Sequence, residues 1–106
     1  MIVDEETLDA ARKFGWSIAK TLLQKNTKST SIIDVFSSVS SVQDLVEALN
    51  KATQSIVANG LVPAGLKHLE GRIPEMTNDQ AVAVARLIAI EAYRVYSSKN
   101  YGGGES

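Results

Sequence analysis

Apolar side chains recur along most of the chain at steps of three and four residues, the spacing that gathers them on one side of an α-helix. This pattern predicts a first helix from about Glu5 to about Lys25, with acidic residues at its start and lysines at its end, as the helix dipole favours. It predicts a second long helix from Ser40 or Ser41, either of which can cap it, to a left-handed stop at Asn59-Gly60.

A third long helix is predicted from the run AVAVARLIAIEAYRVY, which follows a capping box formed by Thr77 and Gln80. The run contains only three charged residues, and a helix that is apolar over most of its circumference is usually a central one. The following segment, YGGGES, predicts a flexible glycine-rich tail over residues 101–106.

Two shorter segments complete the predicted fold. SIIDVFSS has no second strand to pair with, so it predicts a helical turn capped by Ser31. Pro63 and Gly71 suit the start and the stop of another short helix. The sequence therefore predicts an all-α protein, with residues 1–100 forming a single helical domain, a compact bundle of three longer helices with one or two short ones.

Composition narrows the classes of function. The 106 residues contain 11 lysines and arginines against 12 acids, so the formal net charge of −1 gives no general attraction to nucleic acid. The absence of cysteine excludes disulfides and thiolate chemistry and fits a reducing compartment. The acidic start lacks the order of a signal peptide, and no apolar run reaches the ~20 residues of a membrane span, so a cytoplasmic protein without membrane contact is predicted.

The single tryptophan lies on the polar side of the first predicted helix. At ~100° per residue, the core side collects small and aliphatic residues, with Phe14 at its margin: Leu8, Ala11, Gly15, Ile18, Ala19 and Leu22. The opposite side collects Arg12, Lys13, Trp16 and Lys20 within an arc of ~100°. Trp16 is therefore predicted to face outward between cations.

This region contains a local excess of positive charge. No acid occurs from Ala10 to Ile33, whereas five cations do. Cations bind phosphates, and a base can stack on an exposed ring, so this composition is typical of a surface for single-stranded nucleic acid. The candidate nucleic-acid-binding residues are Arg12, Lys13, Trp16, Lys20, Lys25 and Lys28. Alternatively, Trp16 packs against a neighbouring helix or another subunit, with the lysine and arginine stems lying across it.

A second candidate surface lies on the last helix. Arg86, Ile90 and Arg94 share its narrow outer stripe, and an isoleucine flanked by arginines is a candidate protein contact. The alternative is an isolated surface isoleucine, which is common.

Catalytic and metal-binding patterns are missing from the sequence. His68 is the only histidine and has no cysteine to join it in a zinc site, so it is interpreted as a solvated loop residue. No nucleophile elbow or phosphate loop is present. We therefore expect no enzyme activity, no cofactor, no metal and no small-molecule substrate. A helix-turn-helix presenting Lys67, His68 and Arg72 is a further alternative with a thin recognition surface.

The order of these elements resembles a known family. With SIIDVFSSVSSVQDLVEALNKA in the middle and AVAVARLIAIEAYRVY near the end, residues from about Ser31 to Tyr96 resemble the small subunit of archaeal type I-A CRISPR effector complexes (Cascade). The resemblance implies a non-enzymatic subunit that packs against other protein subunits of an RNA-guided antiviral surveillance complex. There it would help hold a DNA strand without reading its sequence, because guide pairing reads the sequence.

Two functions therefore remain open from the sequence. The first is a non-enzymatic small subunit of a nucleoprotein complex that contacts a nucleic-acid strand independently of sequence. The second is a helical protein–protein adaptor or oligomerising module without nucleic-acid contact.

Overall fold

The computed structural model gives the backbone of residues 3–105 and the side chains of residues 3–98. Every regular element in this part of the chain is helical, so the all-α prediction is confirmed. The three long helices are α1 (Glu5–Lys25), α3 (Val42–Ala58) and α5 (Asn78–Glu105). The connections contain two short helices and one 3₁₀ turn, namely α2 (Ser31–Ser37), α4 (Leu66–Arg72) and Ile73–Glu75.

The predicted caps of α3 and α5 are both formed. The Ser41 hydroxyl accepts a hydrogen bond from the Asp44 amide at 3.1 Å. The Thr77 hydroxyl accepts from the Gln80 amide at 3.1 Å, and the Gln80 side chain accepts from the Thr77 amide at 3.0 Å, which is a reciprocal capping box. At the end of α3 the left-handed residue is Gly60, with φ +77°.

Two predicted helix boundaries were wrong. Ser31 is the first residue of α2 and not its cap; Thr30 precedes the helix, and its hydroxyl donates to the Asp34 carboxylate instead of capping. The helix predicted between Pro63 and Gly71 begins only after Gly65 and runs through Gly71 to Arg72.

Gly65 explains the later start of α4. It has φ +79°, a left-handed conformation, and an added Cβ would lie 2.4 Å from the Ala10 carbonyl oxygen. Only glycine fits this turn at this distance from α1. The chain therefore bends at Gly65 before it can become helical.

The glycine-rich end of the chain continues α5 as far as Glu105. Ser106 lies outside the described residues. The flexible tail over residues 101–106 stays a prediction.

Helices α1 and α5 form the most extensive helix pair and run in the same direction. Thr7, near the start of α1, shares a surface depression with Gln80, and the Tyr96 hydroxyl donates to the Thr27 carbonyl at 2.7 Å past the end of α1. Helix α5 also packs on α2 and α3, which confirms its predicted central position.

The segment between α3 and α5 returns along α1 in the opposite direction. The Gln24 amide donates to the Asn59 carbonyl at 2.8 Å, and Arg72 reaches Asp4 at 3.0 Å. This return segment therefore lies along one side of the exposed face of α1.

The core of α1 is wider than the predicted face. Phe14, predicted at the margin, is fully buried and meets Phe36 edge-on with ring centroids 6.1 Å apart. Three polar residues, Thr7, Ser17 and Thr21, are also buried. Leu8, predicted in the core, is only half-buried because the buried arc of α1 is rotated away from it.

Candidate functional site

The outward face of α1 forms the floor of an open groove of about 500 Å³. The Trp16 side chain is 39% exposed there, as the helical spacing predicts. Helix α5 forms one wall and the return segment forms the other. The groove is lined by Asp9, Arg12, Lys13, Trp16, Ser17, Lys20, Ala64 and Glu91.

Ser17 fixes the return segment beside this groove. Its hydroxyl accepts a hydrogen bond from the Ala64 amide at 3.0 Å and lies 3.1 Å from the Val62 carbonyl oxygen. Because Ser17 is buried, its hydroxyl takes the place of water as the hydrogen-bond partner of these two backbone groups of the loop. The wall at Ala64 is therefore held in place by hydrogen bonds to α1.

Lys20 lies over the tryptophan ring. Its Nζ atom is 5.7 Å from the ring centroid, which is a cation–π contact. Such a contact at an exposed site is worth ~0.5–1 kcal/mol, so an incoming planar group can displace the ammonium without a large penalty. Trp16 and Lys20 therefore present an aromatic surface and a cation together.

Glu91 on α5 completes the groove and was not among the predicted site residues. Its carboxylate accepts from the Trp16 indole N–H at 3.3 Å and from two nitrogens of Arg94, at 3.0 and 2.6 Å. The Glu91 side chain is 14% exposed. The hydrogen bond from Arg94 holds the pKa of Glu91 below its ordinary value, with smaller contributions from the Trp16 N–H and the nearby Arg12 charge.

Two of the predicted cations have acidic partners on α1. Lys13 lies 3.1 Å from Asp9, and Arg12 lies 3.9 Å from Glu5. These pairs are exposed, so each contributes little to stability, but each reduces the positive charge that the groove offers. Lys20 has no carboxylate within 4.0 Å among residues 3–98.

Lys25 and Lys28 do not line the groove. Lys25 is the last residue of α1 and lies ~140° around the helix axis from Lys20. Lys28 is exposed in the loop that follows. Of the six candidate nucleic-acid-binding residues, the structure brings four together and leaves these two apart.

The stripe on α5 is exposed, as predicted. Arg86 and Arg94 are both exposed, and Ile90 between them is 57% exposed. Arg94, however, also bonds Glu91 at the wall of the groove. The two surfaces predicted separately from the sequence are therefore joined through one carboxylate.

His68 belongs to a hydrogen-bonded cluster, so its interpretation as a solvated loop residue was wrong. It lies on α4, half-buried, with Nε2 3.1 Å from the Thr7 hydroxyl. Thr7 donates its proton to Asp4 at 2.6 Å, and Arg72 also bonds Asp4 at 3.0 Å. These contacts hold the pKa of Asp4 at about 2, chiefly through Thr7 and then through Arg72.

This cluster ties α4 to the start of α1. The Thr7 hydroxyl directs its proton to Asp4 and not to His68, and Thr7 is buried. The geometry therefore differs from that of a base-activated nucleophile, in which the histidine takes the proton. His68 and Arg72 also point to α1, which leaves little of the recognition surface that a helix-turn-helix would need.

The described residues contain no group of three or more metal-ligating side chains placed to hold an ion. None of their helices combines the length and the apolar character required to cross a membrane.

The fold and the groove define an all-α protein with an aromatic, mixed-charge surface groove. Comparison of the chain with protein-family models, curated proteins and solved structures finds no match.

Proposed function

We propose that the protein is a non-enzymatic small subunit of a nucleoprotein complex and that it contacts a nucleic-acid strand through Arg12, Lys13, Trp16 and Lys20. The observation that supports this proposal best is the exposed Trp16 ring, with Lys20 above it, on the floor of an open groove. An exposed aromatic ring beside cations is the arrangement that single strands use.

The contact is made by stacking and by charge. A base replaces the Lys20 ammonium on the indole face, and stacking contributes ~1–3 kcal/mol. Lys20 then binds a phosphate, while Lys13 and Arg12 contribute less because Asp9 and Glu5 lie beside them. The isolated subunit therefore binds weakly and with strong salt dependence.

The proposal includes an assembly with other protein subunits, of the RNA-guided CRISPR surveillance type that the sequence resembles. A near-neutral subunit with a small groove of mixed charge suits a strand path that neighbouring subunits complete. Guide pairing would read the sequence, so the subunit needs only stacking and charge. A cytoplasmic location, consistent with the absence of cysteine, belongs to the same proposal.

The test is a titration of fluorescein-labelled single-stranded oligothymidylate with the purified protein at several salt concentrations, followed by anisotropy. We expect weak binding that fades as salt rises. Trp16→Ala should weaken it about five-fold or more through lost stacking. Lys20→Gln should weaken it and reduce the salt slope by about one.

The matched control is Lys51→Gln, which removes the same charge from an exposed position on α3, away from the groove. We expect little change in affinity for this variant. Absence of binding at low salt, or equal affinities for Trp16→Ala and the wild type, would overturn the proposal.

The alternative is an adaptor that binds only protein. The exposure of Ile90 between two arginines favours it. No strand binding at low salt, together with a co-purifying protein that is lost on Ile90→Asp but retained on Val57→Asp, would establish this function instead. Val57 is a suitable comparison because its exposure, 56%, nearly equals that of Ile90, 57%.

A further inference from the structure

Arg94 makes a contact that its position in the sequence does not indicate. It lies on the outer stripe of α5, but its guanidinium is fixed to Glu91 by two hydrogen bonds of 3.0 and 2.6 Å. The same carboxylate accepts the indole N–H of Trp16. A continuous chain of contacts therefore runs from the outside of α5 to the aromatic floor of the groove.

The charge of Glu91 matters because it lies at the groove wall. A carboxylate beside a phosphate path repels the strand, and the repulsion is larger where water is partly excluded. The Glu91 side chain is only 14% exposed, so solvent screens it incompletely. Bidentate pairing with an arginine is the strongest available neutralisation of such a group.

The other nearby charges are less able to neutralise Glu91. Arg12 is close enough to influence the carboxylate but bonds neither of its oxygens, and it also lies 3.9 Å from Glu5. Asp9 lines the same groove and adds negative charge. Arg94 is therefore the principal cation bonded to Glu91.

We propose that Arg94 is a positioning residue of the strand-binding groove: it neutralises Glu91 and holds that carboxylate against the indole edge, so that the groove admits a phosphate beside Trp16. This inference rests on the proposed function. It also assigns a regulatory consequence to the site, because the Arg94 side chain is 59% exposed. A partner subunit whose carboxylate takes Arg94 away from Glu91 would weaken strand binding.

The test is a double-mutant cycle on oligothymidylate affinity at low salt. We expect Arg94→Gln to weaken binding about five-fold, because Glu91 is left charged and unpaired. Glu91→Gln should strengthen binding. In the Glu91→Gln background, Arg94→Gln should lower the affinity for oligothymidylate less than two-fold, since there is no longer a carboxylate to neutralise.

Arg86→Gln is the matched comparison. This substitution removes a guanidinium from the same stripe, but Arg86 does not contact Glu91. It should therefore weaken binding less than two-fold, through the loss of general charge alone. Arg94→Lys should restore part of the affinity, because lysine retains the charge but not the bidentate geometry. Circular dichroism checks that each variant is folded.

A second readout does not depend on the strand. In ligand-free protein, the indole N–H resonance of Trp16 in ¹H–¹⁵N NMR spectra should shift in Arg94→Gln and Glu91→Gln, but not in Arg86→Gln. An unmoved resonance in Arg94→Gln, equal affinities for Arg94→Gln and Arg86→Gln, or an additive cycle would overturn this inference alone. Failure of the wild-type protein to bind any strand would overturn the proposed function together with it.

Discussion

Gly15 marks a position at which the backbones of α1 and α5 come too close for a side chain. A Cβ built there would lie 2.8 Å from the Ile88 carbonyl oxygen and 3.2 Å from the Ala92 amide nitrogen. Both contacts are with backbone, which cannot rotate away as a flexible side chain can. The close approach also sets the distance across which Trp16, the next residue of α1, reaches Glu91.

Replacing Gly15 by alanine should therefore destabilise the protein, although alanine is the better helix former. We expect a net loss of about 1–3 kcal/mol in the free energy of unfolding, because overpacking exceeds the gain in helix propensity. Urea denaturation followed by circular dichroism measures it.

Gly71→Ala is the control for this substitution. Gly71 lies inside α4 with nothing within 4 Å of an added Cβ, so alanine should stabilise the protein by about 0.5–1 kcal/mol. If both variants moved in the same direction, close packing at Gly15 would not be the cause.

At the residue scale, helical periodicity predicted the exposure of Trp16 but not its partner. The angular position of a residue around its own helix shows whether it faces outward. Glu91 lies 75 residues away from Trp16 in the sequence, so the two meet only after the chain folds. The buried Ser17 was missed for a related reason, because its hydroxyl is satisfied by a loop 45 residues further on.

At the scale of single elements, the starts of α3 and α5 followed local chemistry, whereas the local cap predicted for α2 at Ser31 did not form. Ser41 and the Thr77–Gln80 box could be predicted because each bond spans only three residues. The start of α4 could not, because it depends on how closely Gly65 approaches Ala10 on another helix. Tertiary contact outweighed the preference of Pro63 for a first helical position.

The capping box of α5 offers an element-scale prediction. Thr77→Ala removes the hydroxyl that accepts the Gln80 amide, and should lower the free energy of unfolding by about 1 kcal/mol. Thr77→Ser retains an equivalent acceptor and should stay close to the wild type. Urea denaturation distinguishes the two, and a Thr77→Ala variant as stable as Thr77→Ser would show that this cap contributes nothing.

At the scale of the whole molecule, the all-α class followed from periodicity, but the arrangement of the helices did not. Nothing in the spacing of apolar residues indicates that α1 and α5 run in the same direction or that the segment between α3 and α5 returns along α1. The ties that fix this return, such as Arg72 to Asp4, join residues 68 apart in sequence. Those contacts arise only from the assembled fold.

The contacts of Asp4 with Thr7 and Arg72 predict a dependence of stability on acid. The pKa of Asp4 is about 2 in the folded protein against an ordinary value of 3.8, so its stabilising contribution is complete above the ordinary value. That contribution is lost as the pH falls through about 2. Asp4→Asn should therefore be less stable than the wild type at pH 7, and the difference should shrink between about pH 4 and pH 2.

Urea denaturation at a series of pH values from 2 to 7 measures this difference. Glu70→Gln, a change at an exposed carboxylate on α4, is the control and should follow the wild-type profile throughout. A constant gap between Asp4→Asn and the wild type across the range would contradict the stabilising role assigned to these two contacts of Asp4.

The pairing of α1 with α5 also governs the order in which the protein can fold. Helix α1 has its main packing surface on α5, which begins only at Asn78, so the apolar side of α1 waits until α5 has been made. A fragment ending before Thr77 leaves α1 at Gly15 without the α5 backbone at Ile88 and Ala92 that packs closely on it. The native core can therefore close only once α5 has been made, unlike in bundles built from successive antiparallel neighbours.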